Sequence, residues 1–538
     1  KSMTIRCTVD LDEHRYLEDH CLYFEASERG KQGNRILWMP MTGSIEMLAE
    51  AASLLQPGLL VTGVKNVQAL RPVTVEKGIA PATVVISLRR LDDKQVRASM
   101  RSHRADGKPG DLLTEAVVVF DSKFPEPPLV EPLTLVNRRP AICSGSDIYT
   151  THRMFHGPSF QGIVGVDGVG ENGLVARLKI LPTQNLLKSD PDPKFHIDPY
   201  LLDAAGQLVG YWPIEYLSEG FVLLPIRLNE LVRFGDNPPP GTELTCQMVV
   251  RSISHRQLRA DFDVIKRDGT LWLRITGWED WRFHWEQRFY DFWRFPNVYP
   301  NGRHIDFPEL DQLGMECRML DPMAEVEKTG LSETVWTRMI LERNELASYL
   351  TLPDDENRLS WLFSRAIAKD AVRMWVKRCY NRQLYPADVE LAEAEGGKLR
   401  VAGFWVPEVG KAPFVAACYR ELVAVAVAGA SEATIGMARV VPGTPLSESG
   451  LQPNEQAGVQ ATGAPDEWIA RAVAAKQAAA RWLQPEMGEG EAAAFLTVTD
   501  IDVKSGRLLV VDQRTSGDRT LVVRTVRDGD WIIAVVLE

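Results

Sequence analysis

The chain has 538 residues, 45% of them hydrophobic and 25% charged, the composition of ordinary globular protein with room for about three cores at ~100–200 residues each. Its net charge of −11 excludes a global basic field for nucleic acid, and no apolar run reaches the ~18–20 residues that cross a bilayer. Seven scattered cysteines, none in a C-x-x-C pair, argue against a disulfide framework or a cysteine zinc site and fit a reducing, cytoplasmic setting.

The chain opens Lys1-Ser2-Met3 with no secretory signal, as an excised piece of something longer would. A first unit is expected over about 1–125. Ile45, Leu48, Ala49, Ala52 and Leu55 recur at helical spacing between Pro40 and Pro57-Gly58, which predicts a helix from Thr42 or Ser44 to Gln56. The stretches 59–69, 81–91, 95–103 and 112–121 alternate or are β-branched and predict strands. One helix followed by antiparallel strands is the order of a hotdog fold, in which a sheet wraps a central helix. Residues 124–140 hold Pro125, Pro127, Pro128, Pro132 and Pro140 and predict a linker.

A second unit, about 141–297, repeats the plan. Strand-like residues 163–181 lead to a helix with Asp198 as N-cap and Pro199 at its first position, stopped by Pro213. Strands are expected again at 221–235, 242–252, 257–267 and 270–283. Two such units side by side would share a combined sheet and two central helices. Residues 298–350 read as a connector with some helix near 331–350. A third unit, 351–538, is expected to hold long helices at 359–380 and 466–483, strands near 388–405, 413–429, 495–514 and 519–537, and a mobile loop at 442–465. The class is α+β throughout. The basic clusters Arg138-Arg139 and Arg251 to Arg259 read as solvated faces rather than docking patches.

His20 precedes the first helix in Leu17-Glu18-Asp19-His20-Cys21-Leu22. A neutral imidazole is a good general base near pH 7. Spacing alone also allows a surface or satisfied core histidine. Cys21 beside it could form a nucleophile couple, although sequence neighbours rarely face each other productively. Asp203 is more unusual, a carboxyl among Leu201, Leu202, Ala204 and Ala205, with Gln207 one turn on along the same face. Burial would raise its pKa and suit a general acid, with Gln207 fixing the rotamer; a purely structural buried Asp is the alternative. Gly206 allows close approach of a backbone or a substrate. Phe155-His156-Gly157-Pro158-Ser159-Phe160-Gln161 reads as a Gly-Pro turn giving fold support and tunnel lining rather than proton transfer.

Together, Asp19-His20, the helix motif from Asp198-Pro199 through Leu202-Asp203-Ala204 to Gln207, and His156-Gly157-Pro158 with Phe160-Gln161 between them resemble a polyketide synthase dehydratase domain over residues 1 to about 290. Pro40-Met41-Thr42 onward to Ala52, then Leu54-Leu55-Gln56-Pro57-Gly58, is most similar to dehydratases of iterative enediyne-type synthases. The resemblance implies a double hotdog, with His20 as catalytic base, Asp203 as catalytic acid and Gln207 assisting it. Tyr149, His156, Gly157, Pro158 and Phe160 would line the substrate tunnel. One departure stands out: the family usually has Gly four residues after the His, and here Phe24 stands there. The implied reaction removes water from a β-hydroxyacyl chain to give an α,β-unsaturated, polyene-forming intermediate, with no metal or redox cofactor. The substrate would ride on the phosphopantetheine of an acyl carrier protein. Other synthase domains would be partners, in a homodimeric parent, with neither nucleic acid nor membrane involved. A product-template or isomerase-type pocket and a non-catalytic scaffold are the rivals.

The third unit resembles a phosphopantetheinyl transferase, a family of two pseudo-symmetric halves that binds coenzyme A and Mg²⁺ through carboxylates. The matching stretches read Gly436-Met437-Ala438-Arg439-Val440 and Lys476-Gln477-Ala478-Ala479-Ala480-Arg481, so Ala438, Val440 and Gln477 stand in place of three acids. Asp370 belongs to the other half. A transferase-like fold without transferase activity is expected.

Overall fold

Alternation of apolar and polar residues builds the strands of the first unit. In Ala82–Arg90, for instance, Val84, Ile86 and Leu88 are buried while the residues between them face outward. The computed structural model describes residues 1–22, 27, 36–76, 81–104, 109–217, 221–321, 330–353, 355–394, 398–483, 494–514 and 519–538. The chain divides into two compact units, one of Lys1–Phe24 with Arg35–Tyr290 and another of Glu25–Asn34 with Asp291–Glu538. Among the described residues, no helix is long and apolar enough to cross a membrane.

In the first unit the elements are β1 (Ser2–Val9), β2 (Ile36–Trp38), α1 (Met41–Ser53), β3 (Leu60–Ala69), β4 (Thr74–Glu76), β5 (Ala82–Arg90), β6 (Gln95–His103) and β7 (Pro109–Asp121). There follow α2 (Asp147–Thr150), β8 (Ile163–Gly170), β9 (Gly173–Lys179), α3 (Pro199–Tyr216), β10 (Phe221–Arg233), β11 (Glu243–Ile253), β12 (Gln257–Ile265) and β13 (Leu271–His284). Eleven strands form one sheet in the order β1-β5-β6-β7-β3-β10-β13-β12-β11-β9-β8. The α1 half and the α3 half meet where β3 pairs antiparallel with β10, Val64 opposite Leu231 and Gly63 opposite Val232. A Cβ on Gly63 would lie 2.2 Å from the Leu231 carbonyl oxygen, so this seam requires glycine.

Helix α1 lays Ile45, Leu48, Ala49 and Ala52 on the sheet, all fully buried. Helix α3 starts as the sequence predicts: Asp198 accepts from the amides of Tyr200 and Leu201 at 3.0 and 3.1 Å, with Pro199 at the first position. It does not stop at Pro213, as expected, but runs on to Tyr216. A proline removes one donor, and here tertiary bonds hold the last turn regardless. Arg139 binds both the carboxylate and the carbonyl of Glu215 at 2.5 Å, and the Trp212 indole donates to Gly170. Arg139 is therefore tied to the fold while keeping 34% of its side chain exposed, whereas Arg138, Arg251, Arg256 and Arg259 lie on solvated faces, as the sequence suggests. The strands β1, β2 and β4, which the sequence pattern does not predict, are an edge strand of mostly exposed residues and two three-residue strands that pair with each other. The predicted strand-like run 163–181 is a hairpin, β8 with β9.

The second unit places a long helix on each of two sheets. Glu356–Tyr380 packs on a six-stranded sheet and Pro465–Leu483 on a five-stranded one. Residues 298–350 are not a plain connector: Glu316–Leu320 is fully buried and pairs with Val423–Gly429 inside the six-stranded sheet. The expected mobile loop 442–465 also differs, since it contains the helix Pro453–Ala461. Its buried Glu455 pairs with Lys476 at 3.3 Å and accepts from the Val498 amide at 2.7 Å. Leu451 and Val459 of the same segment are buried in the core, so a few anchors, polar and apolar, hold a stretch whose composition alone reads as loop. Asp370 is equally committed, paired with Arg373 at 2.8 Å and accepting from the amides of Asn301 and Gly302.

Candidate active site

Three separate stretches of the first unit converge on one carboxyl. The first is a 3₁₀ turn, Arg15–Asp19, anchored by buried Tyr16 and Leu17 and leading into His20. The His20 amide donates to the Leu17 carbonyl, and the His20 carbonyl accepts from the Trp38 amide, both at 3.0 Å. The ring Nδ1 lies 2.7 Å from the Trp38 carbonyl. A carbonyl can only accept, so Nδ1 carries the hydrogen and Nε2 keeps its lone pair. That Nε2 faces Asp203 Oδ1 at 4.0 Å.

Asp203 sits in the second turn of α3, and Gln207 holds it. The Gln207 amide nitrogen donates to Asp203 Oδ2 at 2.8 Å and to the Phe160 carbonyl at 2.9 Å. Its oxygen accepts from the Tyr149 hydroxyl at 2.9 Å, and that hydroxyl in turn accepts from the Ile163 amide. With two acceptors on its nitrogen and a donor on its oxygen, the Gln207 amide has one orientation that satisfies all three. Tyr149, expected to line a tunnel, is a buried link in this chain.

The His156-Gly157-Pro158 turn is the third stretch. His156 Nε2 lies 3.3 Å from Asp203 Oδ2, closer than His20 comes, so the structure brings this residue to the same carboxyl. Phe155 stacks on His156 at 4.2 Å, and Phe160 lies 5.1 Å from the His20 ring. Gly157 has no room for a side chain, because a Cβ would sit 2.5 Å from Asp19 Oδ1. Pro158 opens the short 3₁₀ turn that ends at the buried Phe160. Gly206, expected to admit a backbone or a substrate, admits the Trp278 ring instead. Phe24 lies outside the described residues.

Burial decides the protonation of this site. It pushes the His20 imidazole down to about 4, against a smaller upward pull from the Trp38 carbonyl. It pushes Asp203 up to about 7, against the Gln207 hydrogen bond. His156 is driven well below its ordinary value by burial and then by the nearby His20. Near neutral pH the site thus holds two uncharged imidazoles and a carboxyl close to half-protonation, a base beside an acid. Donor atoms of His20, His156 and Asp203 lie within 4.8 Å of one another, a spread that a small cation could also span.

Asp19 stands in the sequence only as the neighbour of His20, and the structure gives it work of its own. Its carboxylate accepts from the Ser159 amide at 2.9 Å and hydroxyl at 2.5 Å, and its carbonyl accepts from the Gly157 amide at 2.7 Å. It clamps the His20 turn to the His156 turn. Asp19→Ala leaves the Ser159 amide and hydroxyl without that acceptor while the Gly157 bond to the backbone carbonyl stays, and a loss of about 1–3 kcal/mol in urea unfolding is expected. A second clamp comes from Glu46 on α1, which accepts from the amides of His196 and Ile197 at 2.5 and 2.7 Å, just before α3. Neither clamp leaves a local pattern, since the partners are 140 and 150 residues away in sequence.

Comparison with known proteins adds a sequence family to this geometry. The aligned part of the chain, 43% of it, is 27% identical over 239 residues to a polyunsaturated fatty acid synthase subunit from Thraustochytrium sp., and spans 8% of that relative's length. Among solved structures, a trans-AT PKS dehydratase domain from Brevibacillus brevis is similar at a TM-score of 0.41 and 20% identity, over 52% of this chain and 94% of that one. The dehydratase domain of PpsC from Mycobacterium tuberculosis, in complex with C12:1-CoA, is similar at 0.39 and 18%, over 52% and 94%. The matched family segment includes Tyr149, His156, Asp203 and Gln207, while His20 lies before it. Residues 135–284 match the family model described as Polyketide synthase dehydratase N-terminal domain.

Proposed function

We propose that the first unit is a double hotdog that removes water from β-hydroxyacyl thioesters, with His20 as base and Asp203 as acid. The observation that carries this reading is the His20 Nε2 to Asp203 Oδ1 separation of 4.0 Å, between groups that burial drives in opposite directions. His20 Nε2 takes the α-proton as its lone pair forms the new N–H bond. The C–H electron pair becomes the second bond of the alkene, and the C–O bond breaks. Asp203 gives its proton to the departing hydroxyl, which leaves as water. The imidazolium then returns its proton to the carboxylate across the same gap, through one water, and the site is reset. Tyr149, Gln207 and Phe160 hold the acid in place, and His156 shares its other oxygen.

In this reading the substrate arrives on the phosphopantetheine of an acyl carrier protein within an iterative type I synthase. Tethering supplies an effective concentration in the mM range, so a weak docking surface suffices. Repeated use would yield the polyene chain of an enediyne-type product, in a homodimeric parent. The test is product analysis with a β-hydroxyacyl pantetheine thioester. Loss of one water from the surrogate, abolished in Asp203→Asn and His20→Ala, is expected. Double-bond migration without water loss, or water loss that survives both substitutions, overturns it.

For the second unit we propose a phosphopantetheinyl transferase-like fold without transferase activity. Ala438, Val440 and Gln477 offer no carboxylate to Mg²⁺, and Gln477 is taken up by the Met437 amide at 3.2 Å. Asp370 is held by Arg373 and two backbone amides. Incubation of the full chain with coenzyme A, Mg²⁺ and an apo carrier protein is expected to leave the carrier unmodified. Efficient conversion to the holo form would sink this part.

A further inference from the structure

The inward face of β13 carries a second carboxyl beneath the helix that bears Asp203. Asp280 is buried, and its Oδ1 accepts from the Trp278 indole nitrogen at 2.7 Å. The Trp278 ring presses on α3 at Gly206, where a Cβ would lie 2.5 Å from the ring edge. Gly206 is flanked by Asp203 one turn back and by Gln207 next in sequence. Phe262 of β12 braces the other side of the indole, edge-on at 5.9 Å. The indole is therefore fixed in its plane by one hydrogen bond and one ring, and α3 rests on it without an intervening side chain.

We propose that Trp278 and Asp280 are positioning residues for the acid: the carboxyl orients the indole, and the indole sets the height and rotation of the α3 turn that carries Asp203 and Gln207. This rests on the reading of Asp203 as the general acid. An indole needs one partner for its N–H when buried, and an Asn or Gln would satisfy it as well as Asp does. Burial pushes Asp280 up to about 8, against the Trp278 bond, and Asp203 and Glu279 add to the rise. The groups facing Asp203 are His20, His156, Tyr149 and Gln207. Around Asp280 the strand partners Pro225 and Leu258 are uncharged, and Arg282 on the same strand donates to the Ser254 carbonyl.

Two variants of the full chain test this. Asp280→Asn keeps an acceptor for the indole and removes the titratable group. Trp278→Phe keeps a ring and removes the N–H. Each is assayed for dehydration of the pantetheine surrogate across pH, beside wild type and Asp203→Asn, with thermal unfolding as a check on folding. For Asp280→Asn, which still accepts from the indole, kcat and KM are expected to stay within about twofold of wild type. For Trp278→Phe, kcat is expected to fall about tenfold with KM changed less than about twofold, as befits a misplaced acid rather than lost substrate contact. A wild-type kcat in Trp278→Phe, or a kcat lost in Asp280→Asn, overturns the proposal, and so does a lower unfolding temperature with unchanged kinetics, which marks a structural role. If wild type fails to dehydrate the surrogate, or Asp203→Asn is unimpaired, it is the functional reading that fails instead.

Discussion

Asp203→Asn is expected to lower kcat/KM for dehydration by about 10²–10⁴-fold, the worth of one general acid. The substitution is close to isosteric, and the amide oxygen still accepts from Gln207, so the bond at 2.8 Å and the surrounding fold survive. What disappears is a proton that can be given away. Hydroxide is a poor leaving group, and in the proposed reaction Asp203, 4.0 Å from His20, protonates it. The measurement is kcat/KM on the pantetheine surrogate, with circular dichroism and unfolding showing an unchanged fold. A variant that folds and retains more than about a tenth of wild-type activity contradicts the assignment.

His20→Ala is expected to cost a similar factor, about 10²–10⁴, by removing the acceptor of the α-proton. Its ring is held by the Trp38 carbonyl and lies among Phe155, His156 and Phe160, so truncation also opens a small void. His156 cannot take over well, because its Nε2 addresses the far oxygen of the same carboxyl. If base and acid work in one step, as proposed, the double variant is expected to lose far less than the product of the single losses. Strictly multiplicative losses in the double variant would mean that the two residues act in separate steps.

Much of the first unit is legible in the sequence because its signals are local. Asp198-Pro199 caps α3 within three residues, the i, i+4 pair Asp203 and Gln207 shares a helix face, and the β-branched stretches alternate. The site is half legible for the same reason. Asp203 stands out as a carboxyl in an apolar helix, whereas His20 has nothing local to distinguish it from a core histidine. His156 reads as turn and wall because its partner, Asp203, lies 47 positions away in the chain. Asp19 and Glu46 are invisible as clamps, since their partners lie 140 and 150 residues away in the chain. Pro213 misleads because the bonds that carry α3 past it come from Arg139 and Gly170. Glu316–Leu320 is hidden in an apparent connector, because a five-residue strand shows its identity only through its partner.

The most direct test of the central claim is the pH profile of kcat/KM for wild type between about pH 4 and 9. His20 must be unprotonated, and burial holds it at about 4, so activity is lost only as pH falls toward that value. Asp203 must be protonated, and burial raises it to about 7, so activity declines as pH rises through neutrality. A plateau in the mildly acidic range with a falling limb near pH 7, lost in Asp203→Asn, is the predicted result. A rate that climbs steadily through pH 8 would contradict it, because the working carboxyl would then have no proton to give.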